Sequence, residues 1–421
     1  MKTLLKNGYV FTKNGFEKKD VLLIDDRVTF SFTTDYDTQI LCDNLYIIPG
    51  FVDVHVHLRE PGFFYKETIK TGTLAGAKGG YTALCAMPNL DPVPSTVEKL
   101  KVQLDIIKRD GVINVYPYGT ITQNQNGQGQ LSQMEEMSQD VIAYSDDGKG
   151  VQAGDLMEEA MIKAKGLNKL IVAHCEDESL LDGGYIHKGE YAKTHGHKGI
   201  SSESEWKQVE RDIALCKKTG AAYHVCHIST KETVDLIRQA KKHGVKITCE
   251  TTPHYLVFCD EDLKEDGRFK MNPPIRSRED QEALIRGIED GTIDMIATDH
   301  APHSMEEKGR GLAKSAFGIV GLETAFPILY THLVLTEKIT LEKLIYLMAI
   351  APREIFNIDG GYLEEGQKAD IAIIDLKSEG KVDPQTFLSM GKSTPFAGME
   401  ISGENTATFV AGKKVWERDY E

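Results

Sequence analysis

Histidine and aspartate recur in this chain where apolar segments end. The stretch VDVHVHLREPG, residues 52–62, carries His55 and His57 two positions apart, with Arg59 two further on. In a strand, residues i and i+2 share a face, so the two imidazoles project together, and Arg59 with them if the strand continues. Other apolar segments end in Asn89, in Asp146 and Asp147, in His174, in His227, and in Asp299 with His300 and His303 beyond. Alone, such a residue is ordinarily a hydrogen-bonded rim residue or a helix cap. Brought to one mouth, four histidines and two aspartates exceed what one four-coordinate ion needs. Imidazole nitrogen and carboxylate oxygen without thiolate suit a hydrolytic Zn²⁺ or Mn²⁺ centre. Two ions sharing a bridging carboxylate and a bridging hydroxide use the ligands more fully. The hydroxide would attack a carbonyl, and an aspartate at the last strand end could pass its proton to a leaving nitrogen.

The elements that must position these residues follow a βα rhythm. Apolar strands are predicted at 51–57, 81–87, 113–119, 141–145, 170–174, 222–227, 245–250 and 293–298. Between most of them lie helical patterns such as ETVDLIRQAKKHG. Ser95-Thr96-Val97-Glu98 and Ser229-Thr230-Lys231-Glu232 fit capping boxes. Parallel strands with intervening helices predict an α/β fold, a (β/α)₈ TIM barrel over residues 51–354, whose strand ends converge on one mouth. A doubly wound open sheet is the alternative, but no Gly-rich phosphate loop follows any strand; GTLAGAKGG (72–80) reads as helix. Residues 1–50 and 355–421 are β-rich and predict a small β-sandwich module built from both chain ends. Its Asn-Gly pairs at 7–8 and 14–15 are turn signals. The polar stretch 301–316 reads as an unstructured loop of the kind that covers an active site.

The net charge of −15 argues against nucleic-acid binding, and any anionic substrate needs a local positive site. No apolar run is long enough to span a bilayer, and no signal-like segment is seen near Met1, so the expectation is a cytoplasmic protein without membrane contact. The seven cysteines include no C-x-x-C pair and fall mostly in apolar strands, the usage of reduced, buried thiols. Alternation turns Cys175 and Cys226 away from what the neighbouring histidines face.

Across essentially its whole length the chain resembles the amidohydrolase superfamily, and within it the type I dihydroorotases. The carriers are PGFVDVHVHLREPG (49–62), MPN (87–89), SDDGKGVQ (145–152), VAHCED (172–177), HVCHIST (224–230), TTPHYL (251–256), KMNPPIRS (270–277), IATDHAPH (296–303) and FGIVGLETAFP (317–327). The resemblance implies one Zn²⁺ held by His55, His57 and Asp299 and a second held by His174 and His227, with Asp147 bridging. One or two ions per chain are expected, two being favoured. Lys149 is the alternative bridge, as a carboxylated lysine. Asp299 becomes the proton shuttle. Arg59, Asn89 and His303 become a clamp for the substrate carboxylate, while His57, Asn272 and the backbone of Phe317 and Gly318 complete the substrate site. His254 is left outside it. The implied reaction is the reversible cyclisation of N-carbamoyl-L-aspartate to dihydroorotate in pyrimidine biosynthesis, by an enzyme expected to be a homodimer. A related allantoinase or hydantoinase would share the metals but read another ring. A non-catalytic homologue acting as an assembly partner would typically have lost ligands, and here every ligand position is filled.

Overall fold

The computed structural model describes residues 2–31 and 35–419; Met1 and residues 32–34 and 420–421 of the expected end module lie outside the described residues. The chain is mixed α/β. Phe51–Val56 pairs in parallel with Tyr81–Ala86, which pairs with Asn114–Pro117. Ile171–Ala173, Tyr223–Val225, Ile247–Thr251 and Met295–Ile296 form a second parallel run. The strand predicted at 141–145 has no ladder of its own. Tyr144 alone bridges Gly119 on one side and Ile171 on the other, and so joins the two runs. Beyond Ile296, His300 bridges Val56 in parallel and returns the pairing to the first strand.

All of these strands but the half-buried Asn114–Pro117 are buried on both faces, which is why they read as continuous apolar runs. One face contributes Val52, Val54, Ala83, Cys85, Tyr118, Val172, Cys226 and Met295 to a single enclosed cluster, stoppered by Phe356 and Ile358. The other face packs on the intervening helices, through Phe51, Leu84, Ile171 and Tyr223. Those helices include Ile69–Lys78, Val97–Asp110, Glu203–Thr219, Lys231–Lys242 and Arg278–Glu289. GTLAGAKGG lies largely in the first of them, as expected. Two caps sit one residue later than their sequence suggests. Thr96 accepts from the Lys99 N–H and Thr230 from the Thr233 N–H, because Ser229 is already engaged by the Glu205 carboxylate and Ser95 by the Lys99 ammonium.

Both chain ends meet in one eight-stranded sheet, in which Ile371–Lys381 lies antiparallel to Tyr46–Pro49. It has its own core around Leu5, Val10, Val21, Leu23, Ile371 and Phe409. Asn14-Gly15 closes the hairpin between its first two strands, with Gly15 at φ 95°. Asn7-Gly8 does not turn the chain. It is an irregularity inside Lys2–Thr12, where the register shifts between Leu5 and Gly8 and Asn7 takes φ 65°. The stretch 301–316 is also more ordered than expected, holding short helices at Met305–Lys308 and Gly311–Lys314. Ser304 and Glu307 form a capping box there, and the buried Lys308 ammonium donates to the carbonyls of Lys270 (2.9 Å) and Ala316 (2.8 Å). Among the described residues no helix is long and apolar enough to cross a membrane.

Candidate active site

Alternation alone does not bring the His55–His57 pair to the centre. From Asp53 to Val56 the first strand advances three residues while its partner advances only from Leu84 to Ala86. This extra residue has the effect of a bulge, which re-aims the side chains that follow it. Val52 and Val54 belong to the enclosed cluster, Val56 and Leu58 to the outer one, and His55 and His57 turn inward. Three other site residues depend on unusual backbone: Arg59 (φ 62°), His227 (φ 31°) and Asp299 (φ 50°). Non-glycine residues occupy that region at a cost, which functional sites often carry.

The six candidate ligands converge. His57 Nε2 lies 3.2 Å from Asp299 Oδ1, and His55 Nε2 lies 3.5 Å from the same oxygen. His174 Nδ1 and His227 Nε2 are 3.0 Å apart. Asp147 stands between the two groups. Its Oδ1 is 3.4 Å from His55 Nε2, 3.5 Å from His227 Nε2 and 3.7 Å from His174 Nδ1, while Oδ2 is 3.5 Å from His57 Nε2. His55, His57 and Asp299 form one set whose ligand atoms lie within 4.8 Å of one another; Asp147, His174 and His227 form another. His55 Nε2 and Asp147 Oδ1 are buried with no hydrogen-bond partner, which an ion between them would supply. This donor set fits a metal. Lys149 is exposed and stays outside it. His300 also turns away, its Nδ1 accepting from the Gly321 N–H at 3.2 Å.

Carboxylates and imidazoles in the site shift one another's titration in opposite directions. Burial would raise the Asp147 pKa, but His55 and His227 hold it well below the usual carboxylate range. Burial would lower that of His55, yet Asp147 and Glu250 hold it well above the ordinary histidine value. Cys226 corrects the expectation that it faces away. Its sulfur lies within 4.8 Å of ligand atoms of His55 and Asp147. The strand ends at Val225 and the positive φ of His227 breaks the alternation, so both residues reach the interior. Burial pushes the Cys226 thiol up. Cys175 does face outward, onto the Tyr223 hydroxyl at 3.3 Å.

Above the ligands lies a cavity of about 220 Å³, lined by His57, Asp147, His174, His227 and Asp299 and by every other expected substrate residue: Arg59, Asn89, Asn272, His303, Phe317 and Gly318. Arg59 Nε donates to Pro302 O at 3.1 Å, and neither Glu60 nor Glu67 pairs with it; Glu60 instead accepts from the Ile69 N–H. Burial pulls the Arg59 pKa down to about 10, which leaves it charged at neutral pH. Burial, with Arg59 and Lys66 alongside, pushes His303 down to about 3, so its ring is neutral. Asn89 Nδ2 donates to Asp147 O at 2.7 Å. The Phe317 carbonyl is engaged by His303 Nε2 (2.7 Å) and the Gly318 N–H by Lys270 O (3.1 Å). Gly318 sits at φ 128°, and a Cβ there would come within 2.8 Å of Ala301. His254 is buried and absent from the cavity wall.

Several supporting residues escaped the sequence reading. Glu250 takes His55 Nδ1 at 2.7 Å and His224 Nε2 at 3.1 Å, the outer carboxylate that commonly orients a ligating imidazole. Asp53 accepts from the His55 and Thr298 N–H groups, tying the first strand end to the last. Gln125 shares Asp147 O with Asn89, donating at 2.6 Å. Glu176 holds Asn272. A charged residue inside an otherwise apolar strand was the available signal for Asp53 and Glu250; Gln125 and Glu176 had none.

Comparison with known proteins agrees. The profile of the family described as Dihydro-orotase-like matches residues 45–233. The dihydroorotase of Fusobacterium nucleatum is 51% identical over 414 residues, covering 97% of each chain. That of a Geobacillus species is 48% identical over 428 residues, covering 100% of each. Among solved structures, the L-hydantoinase (dihydropyrimidinase) of Arthrobacter aurescens superposes with a TM-score of 0.88 at 26% identity, over 99% of this chain and 96% of that one. The dihydropyrimidinase of Brevibacillus agri, at 23% identity and a TM-score of 0.86 over 98% and 95%, shares the fold. Fold and site together define a hydrolase of cyclic amides. Within that class, the chain belongs to the dihydroorotase family of pyrimidine biosynthesis.

Proposed function

We propose that this chain is a type I dihydroorotase that interconverts dihydroorotate and N-carbamoyl-L-aspartate in the cytoplasm, as a homodimer. In this reading residues 51–354 are a (β/α)₈ barrel, supported by the parallel pairings that return from His300 to Val56. Residues 1–50 and 355–421 form a β-sandwich module around the shared sheet. The observation that carries the function is one cavity wall combining five of the six N/O candidate ligands, the sixth, His55, lying 3.4 Å from Asp147, with a half-buried, charged arginine.

His55, His57 and Asp299 would hold one Zn²⁺, and His174 and His227 a second, with Asp147 between them. Such ions, when bound, supply Lewis-acid polarisation of a carbonyl and an activated water. The chain's own residues do the rest. Arg59 forks onto the substrate carboxylate, a strong charge-assisted contact in a protein of net charge −15. Asn89 and the neutral His303 complete that clamp, while Asn272 and the Phe317–Gly318 backbone face the ring. Asp299, ionised and 3.2 Å from His57, takes a proton from the attacking water. As the bond between the ring carbonyl carbon and the ring nitrogen breaks, Asp299 delivers that proton to the nitrogen. Ring closure reverses these steps.

Zinc content per chain, measured with dihydroorotase activity before and after chelation, tests the assignment. One or two ions and activity lost on chelation are expected; a metal-free, inactive protein would overturn it. Turnover of allantoin or hydantoin in preference to dihydroorotate would reassign the substrate, and sedimentation analysis tests the dimer.

A further inference from the structure

We infer that Glu176 is a positioning residue which locks the Asn272 amide so that its Oδ1 meets a ring N–H of the substrate, an inference that rests on the dihydroorotase reading above. Asn272 Nδ2 lies 3.0 and 3.1 Å from the two carboxylate oxygens of Glu176. An ionised carboxylate has acceptors only, so the amide must turn its NH₂ toward Glu176; the flipped amide would set oxygen against oxygen. Asn272 lines the cavity, and its Oδ1 is then the amide atom left buried without a partner. A buried acceptor left unpaired is costly, so the site favours a ligand that brings a donor there and disfavours one that does not.

Glu176 itself stays behind the wall. Its side chain is 12% exposed and does not line the cavity. Its backbone is fixed on both sides, the N–H donating to Gln208 Oε1 at 3.1 Å and the carbonyl accepting from Gln152 Nε2 at 3.0 Å. His174 Nε2 lies 3.6 Å from Glu176 Oε2, so metal content must be followed in any variant.

Glu176→Gln removes the constraint at near-constant shape, because a glutamine can either accept from the Asn272 NH₂ or donate to Oδ1 of the flipped amide. The test measures kcat and KM for dihydroorotate, and inhibition constants for its two ring N-methyl derivatives, in wild type, Glu176→Gln, Asn272→Ala and the double variant, with zinc content alongside. The wild type should reject one N-methyl derivative, and Glu176→Gln should lose about tenfold of that discrimination, mostly through KM, with zinc retained. In the Asn272→Ala background Glu176→Gln should add nothing, the non-additivity of residues acting through one contact. Unchanged discrimination in either single variant, additive losses, or zinc loss in Glu176→Gln would overturn the inference while leaving the proposed function intact. A wild type that does not turn over dihydroorotate would overturn both.

Discussion

Asp146 and Asp147 are adjacent, both buried, and opposite in every chemical respect. Asp146 turns outward into the 121–127 loop, accepting from the Ile121 N–H (2.8 Å), the Thr122 N–H (3.1 Å), the Thr122 hydroxyl and the Gly127 N–H (3.1 Å). Its hydrogen-bonding capacity is spent on holding that loop. Asp147 turns inward, receives no hydrogen bond on Oδ1, and is ringed by imidazoles. Burial raises the pKa of the first, and the histidines drive that of the second down in spite of burial. The same division separates Glu205, which takes the backbone N–H groups and hydroxyls of Ser229 and Thr230, from the cavity residues. The saturated carboxylates of Asp146 and Glu205 hold the fold together, whereas the unsaturated Asp147 is the one proposed as a metal ligand.

The strongest way to break that division is at Asp299. Asp299→Ala should abolish measurable turnover, a loss of about 10³-fold or more for a missing proton shuttle, while zinc analysis still finds metal on the remaining ligands. Near-wild-type activity would refute the shuttle. Arg59→Ala comes next, with kcat/KM for dihydroorotate falling about 100-fold, mainly through KM, as expected for a lost charge-assisted contact. A fall confined to kcat would remove Arg59 from substrate binding. The adjacent aspartates then test the comparison directly. Asp146→Ala should lower unfolding stability by about 2 kcal/mol with zinc content maintained. Asp147→Asn should lose zinc while the metal-free protein unfolds within about 0.5 kcal/mol of the metal-free wild type. Equal stability losses from both, by urea titration after chelation, would erase the distinction.

Much of this was legible because burial on both faces writes an apolar run into the sequence. Seven of the predicted strands appear as ladders, and five of the six candidate ligands stand near or just beyond their ends, Asp147 following the eighth. The eighth, at 141–145, is reduced to bridges through Tyr144. What stayed hidden was geometry that depends on partners distant in sequence. The register shift after Asp53 exists only against Leu84 and Ala86. The inward turn of Cys226 follows from the backbone at His227, which no local pattern announces. Asn7-Gly8 carries the same residue types as Asn14-Gly15, and only the pairing with the second strand decides which one turns. The helices within 301–316 depend on the buried Lys308 reaching Lys270 O, a contact between segments far apart in the chain.

The last expected effect lies on the structural side, at His187. This buried imidazole faces the Arg276 guanidinium, whose NH1 group lies 3.5 Å from Nδ1 and donates to Ile200 O at 3.1 Å. Burial, reinforced by Arg276, pushes its pKa down to about 4. An unfolded histidine titrates near 6.5. Between those values the unfolded chain binds a proton that the folded chain refuses, so stability falls as pH falls through that window. From pH 7 to pH 5 the linked loss is about 2 kcal/mol. His187→Gln keeps a polar side chain without a titrating ring and should lose correspondingly less over the same interval. Parallel urea titrations of both proteins at pH 7 and pH 5, after chelation so that ligand protonation at the metal site enters both equally, measure the difference. Identical pH dependence would mean that His187 is protonated in the folded protein, and that the Arg276 region, unlike the surroundings of Asp146, is not a closed network.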